Sequence, residues 1–339
     1  MTITTILYAI LMFCVLVFVH ELGHFIAAKS FGIKVNKFAL GMGPVLLKKQ
    51  KGDTEYSLRL FPIGGFCAME GEDEESDDER AFNKKNAWQK TVVVCAGSLM
   101  NLLLAIVLMI IVMFYIGSAT TTLDRIVEDS PAMTAGLQSG DKIIALDGNE
   151  VKKWNDVTDF LTSSKEKTVT VTVVRDGKEL DLVSGFTESE DGRQTIGIVP
   201  TLERNPGTAV GDGFTATYDM GKMMLNVIRQ LFTGEVSVKE LSGPVGIVYM
   251  TGETVKAGFV NFVYFMALLS LNLAIINMLP LPALDGGRLL FIIARKITGK
   301  AITDDMEGKI HFVGIMLLFG LMIYVTWNDI VRFIVPFFQ

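Results

Sequence analysis

Four long apolar runs constrain this chain more than any other feature: Ile3 to Ile26, Val92 to Ile116, Phe259 to Leu281 and Phe312 to Val335. Each is near the roughly 20 residues that a helix needs to cross a bilayer. Half of the residues are apolar, so the runs are typical of the chain and not isolated patches. Four spans is the simplest count, with soluble mass between them. No Lys or Arg precedes the first run, and its apolar character continues through the polar residues near its end. It therefore reads as a retained span and not as a cleaved signal.

Orientation follows from the basic residues beside the spans. The segment after the first span carries Lys29, Lys34, Lys48, Lys49, Lys85 and Lys90 among others, and the segment after the third carries Arg288, Arg295, Lys296, Lys300 and Lys309. Both are expected to be cytoplasmic, which puts the N-terminus, the long stretch from Gly117 to Gly258 and the C-terminus outside. The net charge of −6 and the lack of a basic stripe beyond these segments argue against a nucleic-acid partner. Cys14 and Cys95 fall in spans and Cys67 in the cytoplasmic segment, so no disulfide framework is implied.

Between spans one and two, "KVNKFAL", "PVLLKK" and "TEYSLRLFPIGGFCAM" group β-formers between glycine and proline. A small sheet against the cytoplasmic membrane face is expected there. The run "EGEDEESDDERAFNKKNAW" that follows reads as a solvated, mobile loop. Outside, Lys142 to Leu146 and Thr168 to Arg175 read as strands around a helix at Trp154 to Ser163, with turn signals at Asp147-Gly148 and Asp176-Gly177. The pattern "SPAMTAGLQSGDKIIALDG" resembles the PDZ domains attached to bacterial proteases. That resemblance implies a groove in which a peptide adds as a strand, or one that serves only as a steric plug. Residues 204–258 read as amphipathic helices on the outer membrane surface. The expected organisation is a first span over 1–30, sheet and acidic loop over 31–90, a second span over 91–117 and the PDZ domain over 118–203. Beyond the amphipathic helices come a broken third span over 259–292, a cytoplasmic loop over 293–311 and a fourth span over 312–335.

The chemistry sits in "HELGH" within the first span. His20 and His24 are four apart, so on a helix they share a face with the spacing of two imidazoles on one Zn²⁺. In this HExxH arrangement Glu21 is the general base for water and not a ligand. An ionisable group at mid-helix costs at least about 2.5 kcal/mol on insertion scales, so an idle Glu there is hard to retain. A zinc site with an open position needs a third protein ligand. Candidates are His311, Asp285 or an acid of the cytoplasmic loop. Asp285 is preferred, because "LPLPALDGG" breaks the helix around it, and broken helix at membrane depth is tolerated where it lines a cavity or is buried in protein.

HELGH, the NMLPLPALDGGR run, "AFNKKNAWQKTVVVCAGSLMN" and the PDZ-like pattern together resemble the site-2 protease family of intramembrane zinc metalloproteases. The nearest type is the bacterial regulated-proteolysis enzyme with one PDZ domain. The resemblance covers nearly the whole chain. It implies His20, His24 and Asp285 as zinc ligands, Glu21 as catalytic base, Asn277 as a residue that holds the substrate backbone, and Asn272 as a weaker candidate for that task. It also implies that an exposed strand edge, in "LGMGP" or "RLFPIGGF", pairs with unwound substrate. One departure is Ala96-Gly97-Ser98 where the family usually has AGP, which bears on the bend of the second span.

The expected fold is thus a multi-pass α-helical membrane protein of the bacterial cell membrane, with four transmembrane helices, a membrane-associated cytoplasmic β-sheet and an extracytoplasmic α+β PDZ domain. Its expected activity is hydrolysis of peptide bonds within or near the spans of single-span membrane proteins, such as anti-sigma factors or signal-peptide remnants, after an upstream site-1-type protease. The rival readings are a metal transporter, which has no need of Glu21 as a base, and an inactive PDZ scaffold, which has no need of HExxH.

Overall fold

The computed structural model describes residues 3–72, 74–188, 194–298 and 304–335. Two compact units emerge, one made of Met1–Val112 with Gly213–Gln339 and the other of Met113–Asp212. Lys300, counted above with the basic cluster, lies outside the described residues.

The first unit begins with α1 (Ile3–Ser30), followed by β1 (Val35–Lys51) and β2 (Thr54–Met69), then α2 (Ala87–Ile116). Among the described residues, four helices are long and apolar enough to cross a membrane: Ile3–Ser30, Ala87–Ile116, Phe259–Asn277 and Met306–Ile334. The second runs unbroken through Ala96-Gly97-Ser98. β1 and β2 are more than a hairpin. The inner half of β1 pairs with both halves of β2, so that Ala39 faces Phe66 on one side and Ser57 on the other. Gly41 at φ +86° and Gly64 at φ +85° allow the chain to fold back on itself there. The sheet shares a core with the ends of α1 and α2: Ala28, Ile33, Val35, Met69, Phe82 and Val93 are all buried in one cluster, with Leu289 and Ile292 packed against it.

The start of the acidic run after β2 is tied to its surroundings at Glu70. Glu70 accepts hydrogen bonds from Ser76 Oγ at 2.6 Å, Asn36 Nδ2 at 2.9 Å and Lys34 Nζ at 3.2 Å. These partners hold its carboxyl down at about 2, well below the usual range. Composition alone could not reveal this, because the partners lie at the start of β1, just before it and within the loop itself.

The second unit comprises β3 (Ser118–Ile126), α3 (Pro131–Thr134), β4 (Lys142–Leu146), β5 (Asn149–Glu150), α4 (Trp154–Ser163), β6 (Thr168–Arg175), β7 (Lys178–Gly185), β8 (Thr187–Glu188), β9 (Gln194–Thr195) and β10 (Ile198–Glu203). Its main sheet runs β10-β3-β4-β6-β7, with β5 paired to β4. Asp176 and Gly177, both at positive φ, close the two-residue turn between β6 and β7. Ser130 caps α3 by accepting from the Met133 amide at 3.2 Å, with Pro131 behind it. Inward residues of alternate positions, Val169, Val171 and Val173, meet Ile143, Leu146, Val157 and Leu161 in one core.

The chain then returns to the first unit through α5 (Pro206–Thr233), α6 (Pro244–Lys256), α7 (Phe259–Asn277), α8 (Asp285–Thr298) and α9 (Asp304–Asp329). The third span ends at Asn277, and the run after it is a separate helix, α8. The stretch expected as a loop over 293–311 holds the end of α8 and the first turns of α9. Two prolines and a charged, strongly amphipathic stretch explain the division: Pro280 and Pro282 stop α7, and α8 turns one face to the sheet core.

Candidate metal centre

The convergence of residues from opposite ends of the chain begins with α2. Gly97 faces α1 so closely that a Cβ there would lie 2.7 Å from His20 Cε1 and closer still to His24 Nε2. Gly23 makes the matching approach from α1 to the Ala96 carbonyl. Small residues let two membrane helices touch backbone to backbone. The two imidazoles consequently rest against α2. His24 Nδ1 lies 2.9 Å from the Val93 carbonyl, and His20 Nδ1 lies 3.4 Å from the Asn101 amide.

Asp285 arrives from the other side as the first residue of α8. After α7 ends, Leu281 donates to the Leu279 carbonyl at 2.7 Å and Leu284 donates to the Leu281 carbonyl at 3.2 Å, so the "PLPALD" segment is a tight irregular turn. Gly286 and Gly287 then start α8 directly beneath that turn. A Cβ on either would collide with the carbonyls of Leu279 or Leu281. Starting a helix at Asp285 also places its carboxylate at the positive end of the helix dipole.

The result is a triangle. His20 Nε2 and His24 Nε2 are 3.2 Å apart, and Asp285 Oδ2 lies 3.4 Å and 3.5 Å from them. Two ligand atoms on one tetrahedral zinc, each about 2.0–2.2 Å from it, stand roughly 3.3–3.5 Å apart. Asp285 Oδ2 is moreover buried and forms no well-aligned hydrogen bond among the described residues. A buried carboxylate oxygen aimed at two ring nitrogens is what a divalent cation satisfies, so these three residues fit zinc. Glu21 lies beside them, packed on β2: a Cβ at Gly65 would lie 3.3 Å from its Cγ.

His311, the rival third ligand, has another place. Its Nδ1 accepts from the Ala283 amide at 2.8 Å, and its Nε2 lies 3.6 Å from Glu307, which pairs with Arg295 at 2.6 Å. Gly314, one turn on, packs against Pro282. So α9 grips the turn that presents Asp285. From the acidic loop, Glu72 pairs with Arg288 on α8. Asn277 is the last residue of α7 and is half-buried, as is Asn272. Neither side chain forms a hydrogen bond to the triad among the described residues. Val93, Gly97 and Asn101 all lie in the "AFNKKNAWQKTVVVCAGSLMN" run that carries the resemblance, but the sequence places none of them beside the histidines; the signal for that is a four-residue spacing with one glycine and one amide inside an apolar run.

The family profile of peptidase family M50 matches residues 8–321. A Clostridium acetobutylicum protein named as a candidate zinc metalloprotease is 39% identical over 335 residues, 98% of this chain and 98% of that protein. The Bacillus subtilis regulator of sigma-W protease RasP is 32% identical over 98% of this chain and 99% of its own. Among solved structures, the PDZ domain of the SdrC-like protein of Listeria innocua is 27% identical, covering 25% of this chain and 92% of that one with a TM-score of 0.22.

Proposed function

Because the chain belongs to peptidase family M50 and is thereby an intramembrane zinc metalloprotease, we propose that His20, His24 and Asp285 hold its zinc ion and that Glu21 is its general base. The single observation that carries this assignment is the triangle of two imidazole nitrogens and one carboxylate oxygen brought together from α1 and α8. When bound, zinc would polarise the scissile carbonyl and acidify the attacking water.

The chain's own residues do the rest. Glu21 takes a proton from the attacking water and delivers it to the leaving amine. A transmembrane substrate hides its peptide groups in its own helix, so it must unwind before attack. The edge formed around Gly41 to Pro44 and Arg59 to Phe66 offers backbone groups to the extended stretch. Asn277, at the broken end of α7, supplies an amide that both donates and accepts, so it suits an unwound peptide group in a dry site. Asn272, a turn and a half earlier, has the same chemistry in a less favourable place.

Single-span membrane proteins are the proposed substrates, anti-sigma factors or signal-peptide remnants among them, each first trimmed by a site-1-type protease. The distribution of Lys and Arg supports a centre near the cytoplasmic side and an extracytoplasmic second unit, and the "SPAMTAGLQSGDKIIALDG" pattern within that unit supports a PDZ domain. The test is a Glu21→Gln chain in bacterial membranes. It should retain zinc, cleave nothing and accumulate trimmed single-span substrates. Undiminished cleavage by that variant would remove Glu21 from the mechanism, and wild-type protein without zinc would remove the triad.

A further inference from the structure

We propose that Asn101 is a positioning residue for His20, its amide oxygen accepting a hydrogen bond from Nδ1–H and so aiming the Nε2 lone pair at the metal position. The inference rests on the reading of His20, His24 and Asp285 as zinc ligands.

A histidine that binds metal through Nε2 carries its proton on Nδ1, and that N–H needs an acceptor. For His24 the acceptor is the Val93 carbonyl at 2.9 Å. For His20 the group within reach of Nδ1 is the Asn101 side chain, at 3.4 Å. As placed, the amide turns its nitrogen toward the ring, while Oδ1 is buried with no hydrogen-bond partner. Asn101 is fully buried, at 0% exposure, so no solvent relieves that oxygen. A donor facing Nδ1 would also force the ring proton onto Nε2, where it would point at His24 Nε2 and Asp285.

Turning the amide by 180° gives Oδ1 a donor and relieves the tautomer conflict, since the two orientations differ only in which end is called oxygen. Oδ1 then accepts from His20, and Nε2 is left bare. The helix frame supports this role. Val93, Gly97 and Asn101 are four apart on α2, so one face supplies a carbonyl for His24, a gap for both rings and an amide for His20. Asn101 is itself anchored, because Ser270 Oγ of α7 donates to its backbone carbonyl at 2.7 Å.

The experiment is chelator competition for zinc on the full-length chain in detergent, comparing wild type with Asn101→Leu, Asn101→Asp and Ser270→Ala. Asp keeps the acceptor and lacks the donor, whereas Leu has the shape and neither group. Loss of an outer-shell partner weakens metal binding by about 10–100-fold, so N101L should fall in that range while N101D stays within about threefold of wild type. S270A, which removes the anchor between α7 and α2 but no partner of the imidazole, should bind zinc as wild type does. N101L binding zinc like wild type would overturn the proposal, as would N101D or S270A losing as much as N101L. If N101L does not fold, N101D alone decides: zinc is kept if Asn101 accepts and lost if it donates. Wild type that binds no zinc, or binding indifferent to His20→Ala, would defeat the ligand assignment instead.

Discussion

The backbone amide of Ala283 donates to Nδ1 of His311 at 2.8 Å, and so ties the turn before Asp285 to α9. Ala283 has φ +77°, a left-handed conformation that a residue with a Cβ adopts at a cost of about 1–3 kcal/mol. The hydrogen bond is one of the contacts that holds it there. His311→Ala should weaken zinc binding by about 10-fold without removing a ligand, whereas His311→Asn, whose Oδ1 can replace Nδ1 as acceptor, should recover most of it. Equal losses in both variants, read by chelator competition, would argue against the tether.

Gly97→Ala should be severe although it adds one methyl group. The new Cβ meets both imidazoles, and α1 cannot retreat while Gly23 rests on Ala96. Overpacking of this kind costs about 1–3 kcal/mol, and here the displaced atoms are the proposed ligands. Zinc content per chain should fall sharply with the helices still formed by circular dichroism. Stoichiometric zinc in this variant would contradict the close packing.

Asn277→Ala should lower the rate of substrate cleavage by about 10-fold, the loss of one hydrogen bond of roughly 1–1.5 kcal/mol, with zinc content unchanged. Asn272→Ala should have a smaller effect. A drop in zinc content for N277A would move Asn277 from the substrate to the metal.

Asp141 and Arg175 give the second unit a pH dependence. The Asp141 side chain is wholly buried and receives Arg175 Nε at 2.6 Å and Nη2 at 2.7 Å. Burial by itself would raise its carboxyl, but Arg175 and the Gln138 amide hold it below the usual value. A depressed carboxylate contributes stability that is complete above the unfolded value of about 3.9 and lost as pH falls through the folded one. Protease resistance of this unit within the full chain should therefore decline below about pH 4. Asp141→Ala, which leaves Arg175 the Gly136 carbonyl but no carboxylate, should destabilise the unit by about 1–3 kcal/mol at neutral pH and flatten that decline.

How much of this was legible depended on the distance over which each feature is determined. The spacing of His20 and His24 is local, so the sequence alone places both rings on one face. Asp285 was legible because prolines and glycines advertise broken helix around an acid. Four spans were countable for the same reason, since length and apolarity are properties of a window. Gly97 was visible as a motif position but its contact was not, because a glycine in an apolar run looks the same whether it faces lipid or two imidazoles. His311 was read as a rival ligand because its chemistry is visible and its partner, a backbone amide 28 residues earlier in sequence, is not. The division of the third apolar run into α7, a turn and α8 was half visible: the prolines marked a break, but the helix beyond it draws its stability from the sheet core that Leu289 and Ile292 join.

That shared core has a consequence for where cuts would fall. Because Val35, Phe38, Cys67 and Met69 of the sheet share one core with the ends of α1 and α2 and with α8, and Gly65 rests against Val17 and Glu21 of α1, the base of the strand edge is held in register with His20. A substrate segment paired to such an edge is indexed by its backbone, like a ruler clamped to a blade. A shift of register that preserves side-chain facing moves a strand by two residues, so alternative products from one substrate would differ in length in steps of two.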